Sequence, residues 1–218
     1  MLSLNYFNHI IKNSSKISNR EELGNREVET LFKIIKLYGH EIEHSGKILL
    51  DLGCGDKHLE NSVKKRNINY YGLDITDVNF EYDKLPFEDN KIDIIVFLAV
   101  IEHISNPDNL LNEVYRILKP GGIIYITTPN WYYDYRTFYN DPTHVKAYNP
   151  VTLERILEMY SFQNPKTFPG LRCKHEWYYK GKYRFKKAKY LLPFRGSVKF
   201  APNFLKGKST SIIAIAKK

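Results

Sequence analysis

Apolar and polar positions along this chain switch between two rhythms. Within 22–38 the apolar residues Leu23, Val28, Leu31, Phe32, Ile35 and Leu37 recur mostly at three- and four-residue steps, the spacing of an amphipathic helix, and Gly39 ends it. Lys47-Ile48-Leu49-Leu50-Asp51-Leu52 then runs apolar without alternation into a glycine turn, which predicts a strand buried on both faces. The exchange repeats with a helix over 57–66, a strand over 69–73, a short strand over 78–82 and a strand over 92–98. A helix over 107–118 follows, with Asn106 as N-cap and Pro107 at its first position. Lys119-Pro120-Gly121-Gly122 breaks that helix and leads into a strand over 123–128. A helix over 150–160 and a strand over 211–216 complete the pattern. Such alternation predicts an α/β fold with a doubly wound, mostly parallel sheet and helices on both faces.

The chain divides into an N-terminal helical cap (1–45), a core (46–171), a basic aromatic insertion (172–208) and the last strand of the core (209–218). Charge sharpens this division. Residues 172–218 hold 14 Lys and Arg against one acid, Glu176, a balance of +13. Residues 1–171 hold 19 basic and 23 acidic residues, a balance of −4, so the net +9 belongs to one late segment. The longest apolar run, 94–101, is far short of the ~20 residues that span a bilayer, and no basic leader precedes an apolar stretch at the start. Neither a signal peptide nor a membrane span is expected. Cys54 and Cys173 are too few for a disulfide framework, which fits a reducing, cytoplasmic setting.

Asp51-Leu52-Gly53-Cys54-Gly55 closes the first strand, where glycines admit positive φ and let a ligand approach the backbone. A dinucleotide fingerprint would require a further glycine at position 58, and His58 stands there. An acid two residues before the first glycine can hold the turn or receive a ligand's ammonium group. This segment resembles motif I of the class I S-adenosylmethionine (SAM)-dependent methyltransferases, and the resemblance extends over roughly 46–163. Tyr71-Gly72-Leu73-Asp74 resembles the second strand, ending in the acid that binds both ribose hydroxyls, since one carboxylate can accept two hydrogen bonds from a diol. The stretch Leu85-Pro86-Phe87, the Ile101-Glu102-His103-Ile104 turn, Lys119-Pro120-Gly121-Gly122 and the helix start at Asn149-Pro150 follow in family order.

The resemblance implies a Rossmann-like seven-stranded sheet with an antiparallel last strand and SAM as cofactor. It assigns Asp51, Gly53, Cys54, Gly55, Asp74, Ile75, Glu81, Tyr82 and Leu98 to SAM binding. Two departures stand out. Lys57 occupies the position where the family often has a third glycine. The adenine-contacting acid falls on Glu81, with Asp83 as a second candidate.

Methyl transfer to an alcohol requires alignment and a base near neutral pKa, for which His is suited. His103 follows the fourth strand of the family pattern and faces the carboxyl edge of the sheet, where open α/β folds bind ligands; its alternative role is to cap the turn. His144, oriented by Asp141 in the long loop after the next strand, is an equal candidate, although Asp141-Pro142 also reads as a turn opener. Trp131, Tyr132, Tyr133 and Tyr135 either stack on an acceptor or pack a lid. No metal-ligand spacing stands out, and no metal is expected.

These features point first to a SAM-dependent methyltransferase acting at oxygen on a small-molecule or glycan acceptor, and the late basic segment predicts attraction of an anionic one. An RNA methyltransferase is the alternative, because ten basic residues between Arg172 and Lys199 interleave with aromatics. Against it, neither an Asn/Asp-Pro-Pro-Tyr sequence nor a Pro-Cys pair is present. A non-catalytic SAM-binding module is the third reading.

Overall fold

The computed structural model describes residues 20–170, 194–195, 202 and 206–218. In chain order the elements are α1 (Arg20–Tyr38), β1 (Ile48–Leu52), α2 (Glu60–Lys64), β2 (Asn69–Leu73), β3 (Ile92–Leu98), α3 (Asp108–Ile117), β4 (Leu118–Pro129), α4 (Trp131–Asp134), α5 (Pro150–Met159) and β5 (Gln163–Pro169). Two short strands, β6 (Phe194–Arg195) and β7 (Lys206–Lys208), pair with each other, and β8 (Ser211–Lys217) closes the chain. The main sheet has the order β2-β1-β3-β4-β8-β5. Strands β1 to β4 are parallel, and β8 runs antiparallel to both β4 and β5.

The continuous apolar strands arise because both sheet faces are covered. Leu50, Leu52, Ile95, Phe97, Ile124 and Ile126 join one cluster with Leu110, Leu111, Val114 and Ile117 of α3. The intervening Leu49, Ile94, Val96, Ile123 and Tyr125 join a second cluster with Val28, Leu31, Ile34 and Ile35 of α1. The two-residue alternation of a strand thus feeds two cores at once. Helix α5 starts on a reciprocal cap: Asn149 accepts from the Thr152 amide at 3.0 Å, and the Thr152 hydroxyl accepts from the Asn149 amide at 2.9 Å.

Several expectations need correction. The main sheet has six strands among the described residues rather than seven, because 78–82 forms turns. Val78 and Phe80 are buried alternately, as in a strand, but the amides of Tyr82 and Asp83 both donate to the Asn79 carbonyl. The Asn79 amide in turn donates to Asp83 Oδ2 at 2.8 Å, which closes the turn. Helix α2 begins only at Glu60, after turns through 53–59. Pro107 stands at the N-cap of α3, one place earlier than expected, and the Asn106 side chain accepts from the Asp108 amide at 3.1 Å. The insertion 172–208 lies mostly outside the described residues, as does Cys173.

Candidate active site

The chain leaves β1 toward β2 on one side and β3 on the other, so a crevice opens between β1 and β3 at the carboxyl edge of the sheet. The glycine turn forms one wall. The amides of Gly53 and Cys54 donate to the Leu73 carbonyl at 2.8 and 3.2 Å, fastening the turn to the end of β2. Gly53 has φ of 74°, and a Cβ there would lie 2.4 Å from Cγ2 of Val100, so the position excludes larger residues twice over. Lys57, at the site of the family's third glycine, also adopts a left-handed φ of 57°.

Two acids sit behind this wall. Asp74 accepts from the Gly55 amide at 2.6 Å and from the Ile75 amide at 2.7 Å, which holds its carboxylate at the tip of β2. Asp51 is buried and accepts from the Tyr70 hydroxyl at 2.8 Å. Burial pushes its carboxyl up to about 7, and the charge of Asp74 acts in the same direction. Burial, with Asp51 and Asp74 nearby, also pushes the Cys54 thiol up to about 12, so this sulfur is a neutral packing group rather than a nucleophile. Glu81 accepts from the Ser105 amide at 2.7 Å, next to the end of β3. Asp83 Oδ2 accepts from the Asn79 amide at 2.8 Å. Tyr82 and Ile75 are exposed and Leu98 is half-buried at the strand end.

The opposite wall begins where Ala99 takes a left-handed φ of 58° and turns the chain into a 3-10 turn over Ile101–His103. Glu102 is fully buried in this turn and accepts from the Thr128 hydroxyl at 2.9 Å. Its backbone carbonyl accepts from the amides of Val145 and Lys146 at 2.9 and 3.1 Å, so the loop after β4 is pinned over the turn. That contact brings His103 and His144 together, with ring centroids 4.8 Å apart.

Hydrogen bonding orients both imidazoles. His144 Nδ1 lies 2.7 Å from the Phe138 carbonyl, and His103 Nδ1 lies 3.2 Å from the Thr143 carbonyl. A carbonyl only accepts, so each Nδ1 carries a proton, and in the neutral ring the lone pair falls on Nε2. The Thr143 hydroxyl donates to Asp141 Oδ1 at 2.6 Å and therefore accepts from His103 Nδ1 at 2.8 Å. Asp141 thus orients His103 through Thr143, whereas the Phe138 carbonyl orients His144, whose Nε2 is 3.9 Å from Asp141 Oδ2. Burial, aided by the neighbouring His144, lowers the His103 pKa below its ordinary value and keeps the ring neutral. Burial also pushes Glu102 up to about 7.

The aromatics after β4 divide their roles. Phe138 is buried between Trp131 and His144, with ring centroids 5.6 and 4.5 Å away, while Tyr132, Tyr135 and Tyr139 remain exposed. Two further groups bear on the site without having been singled out by sequence. Arg20 is ion-paired with Asp56 beside the glycine turn, and its Nη2 is buried with no hydrogen-bond partner among the described residues. Glu102 was legible only as part of a family segment; an acid ending an apolar run beside a histidine was the available signal.

Comparison with known proteins shows the family and the fold. Residues 22–166 match a family described as a methyltransferase domain. A probable S-adenosylmethionine-dependent methyltransferase of Mycolicibacterium smegmatis is 26% identical over 136 residues, covering 55% of this chain and 53% of that protein. The ubiquinone biosynthesis O-methyltransferase of Pseudomonas savastanoi pv. phaseolicola is 27% identical over 106 residues, covering 39% of this chain and 46% of that protein. A SAM-dependent methyltransferase structure from Aquifex aeolicus superposes with a TM-score of 0.58 at 18% identity, covering 95% of this chain and 96% of that one, a likeness of fold. The chain spans about half the length of the curated relatives it matches.

Proposed function

Because this chain belongs to the methyltransferase domain family, we propose that it transfers the methyl group of SAM to a hydroxyl oxygen of a small-molecule or glycan acceptor. The observation that carries this reading is the pair of imidazoles, His103 and His144, with ring centroids 4.8 Å apart and each Nδ1 engaged by a backbone carbonyl, so that Nε2 is the nitrogen left to take a proton. The likeness to an O-methyltransferase supports oxygen as the acceptor atom.

In this reading Asp74 binds the ribose hydroxyls and the backbone of Gly53, Cys54 and Gly55 passes under the methionine portion. Asp51 supports the turn from behind, and Ile75, Glu81, Tyr82 and Leu98 border the adenine. The acceptor oxygen attacks the methyl carbon as the carbon–sulfur bond breaks, leaving S-adenosylhomocysteine, and the hydroxyl proton passes to an imidazole Nε2. Asp141 acts as a positioning residue for His103 through Thr143. The basic segment favours an anionic acceptor, such as a phosphorylated or nucleotide-linked sugar.

The first test is transfer of labelled methyl from SAM into fractionated extract, with RNA, protein, glycan and small-molecule pools separated. Label in the small-molecule or glycan pool is expected; label in RNA would favour the basic aromatic segment as an RNA surface, and SAM binding without turnover would favour a non-catalytic module. With an acceptor in hand, His103→Ala and His144→Ala should each lower kcat by about 10²-fold while SAM affinity stays nearly unchanged. Unchanged kcat in both variants would mean that neither histidine takes the proton. A protein that binds NAD but neither SAM nor S-adenosylhomocysteine would overturn the cofactor.

A further inference from the structure

Glu102, His103 and His144 do more than line the crevice. Each offers one ligand atom, and the three atoms all lie within 4.8 Å of one another. A metal ion placed between them would start at most about 2.8 Å from each atom, and side-chain rotation of under ~1 Å would bring it to the ~2.0–2.2 Å of nitrogen and oxygen ligation. A second, independent observation falls on one of the three residues. Glu102 is fully buried, its Oε2 accepts from Thr128, and its Oε1 has no hydrogen-bond partner among the described residues. A buried carboxylate oxygen without a partner is costly, and a cation is the ligand that removes that cost.

The histidines are prepared in the manner metal sites use. Each donates Nδ1–H to a backbone carbonyl, Thr143 for His103 and Phe138 for His144, which locks the ring and reserves Nε2 for a ligand. Asp141 Oδ2, 3.9 Å from His144 Nε2, adds negative potential at the rim.

From this geometry we infer that Glu102, His103 and His144 form a binding site for a divalent transition-metal ion. Two imidazoles and one carboxylate suit zinc, iron, cobalt or manganese better than magnesium or calcium, which prefer all-oxygen shells. Three protein ligands leave coordination positions open on the side of the crevice, where a water or an acceptor oxygen can enter. The inference goes beyond the proposed methyl transfer and does not depend on it. It also changes how that reaction is read, because an Nε2 lone pair given to a metal cannot take a proton. Loss of activity in histidine variants is expected on either account, so the test reads the metal itself.

The full chain, stripped with a chelator and desalted, is titrated with Zn²⁺, Mn²⁺ and Co²⁺, and bound metal is counted by equilibrium dialysis with elemental analysis. One ion per chain is expected, and Glu102→Gln, His103→Ala and His144→Ala should each weaken binding by at least about 10-fold. SAM affinity, unchanged in each variant, confirms the fold. For any variant that fails to fold, Mn²⁺ broadening of the His103 and His144 ring signals in the parent protein supplies the answer. The inference is overturned by less than stoichiometric binding, by variants that bind as the parent does, by unbroadened ring signals, or by a Co²⁺ spectrum with thiolate charge-transfer bands, which would move the ion to a cysteine.

Discussion

Asp51 and Glu102 are buried acids held near neutrality by the same cause, loss of water, yet their surroundings ask different things of them. Asp51 has the Tyr70 hydroxyl as a donor and sits beneath a turn built to approach a positively charged ligand. Its folded-state pKa of about 7 lies above the ordinary 3.8, so folding favours the neutral acid. The sign follows: this contribution to stability is complete below about pH 4 and is lost as pH rises through 7. The Tm of the ligand-free protein should therefore fall between about pH 4 and pH 7 and level off above, and less so in Asp51→Asn. SAM, which is cationic, favours the ionised carboxylate, so its affinity should rise across the same interval in the parent and stay flat in the variant. Glu102 titrates in both proteins, which is why the difference between them isolates Asp51. Equal pH profiles would show that Asp51 does not sense the ligand. At this scale the sequence was legible for residue type and order, from Asp51 through Asp74 to His103 and His144. It was silent on hydrogen-bond direction: that Asp141 reaches His103 through Thr143 depends on where Thr143 lies in three dimensions.

Among the elements, the glycine turn is where backbone and packing constraints coincide. Gly53→Ala would place a methyl group against Val100, a β-branched residue with little freedom, at a φ of 74° that L-residues avoid. Left-handed strain and overpacking together should cost at least ~2 kcal/mol, measurable by urea unfolding. SAM affinity should fall with it, because Gly53 belongs to the turn proposed to pass under the methionine portion of SAM. A fully stable variant with parental affinity would mean the turn tolerates rearrangement. Elements with long periodic patterns, such as α1, β3 and α5, were readable because burial dictates their spacing. The stretch 78–82 was misread because Val78 and Phe80 alternate toward the core like a strand while Asn79 and Asp83 divert the backbone into local turns. Helix α2 was overextended because the turn before it borrows helical residue types.

Over the whole molecule, topology decides where the basic segment is anchored. Pro129 at the end of β4 pairs with Ser211 at the start of β8, and Pro169 at the end of β5 pairs with Ile212. The chain therefore leaves β5 and returns to β8 at the carboxyl edge of the sheet, the edge that carries the crevice. The Asn130 side chain donates to the Ser209 carbonyl at 3.1 Å, and the Asn130 amide donates to that of Thr210 at 2.8 Å, so the returning chain is tied to the base of the aromatic loop. Both roots of a segment that dominates a +13 stretch thus stand beside the site, while residues 1–171 carry −4. The proposed anionic acceptor would be attracted to this edge if the segment's charge lies near its roots. Lys186, Lys187 and Lys189, which lie outside the described residues, form the densest group of charge in the segment. Changing all three to Ser should raise the KM of an anionic acceptor and flatten its dependence on ionic strength, because salt screens exposed charges over ~10 Å at 0.1 M. SAM affinity and kcat at saturation should remain as in the parent, since neither the glycine turn nor the histidine pair is touched. If KM and its salt response are unchanged, the segment does not steer the acceptor, and its charge serves the surface alone.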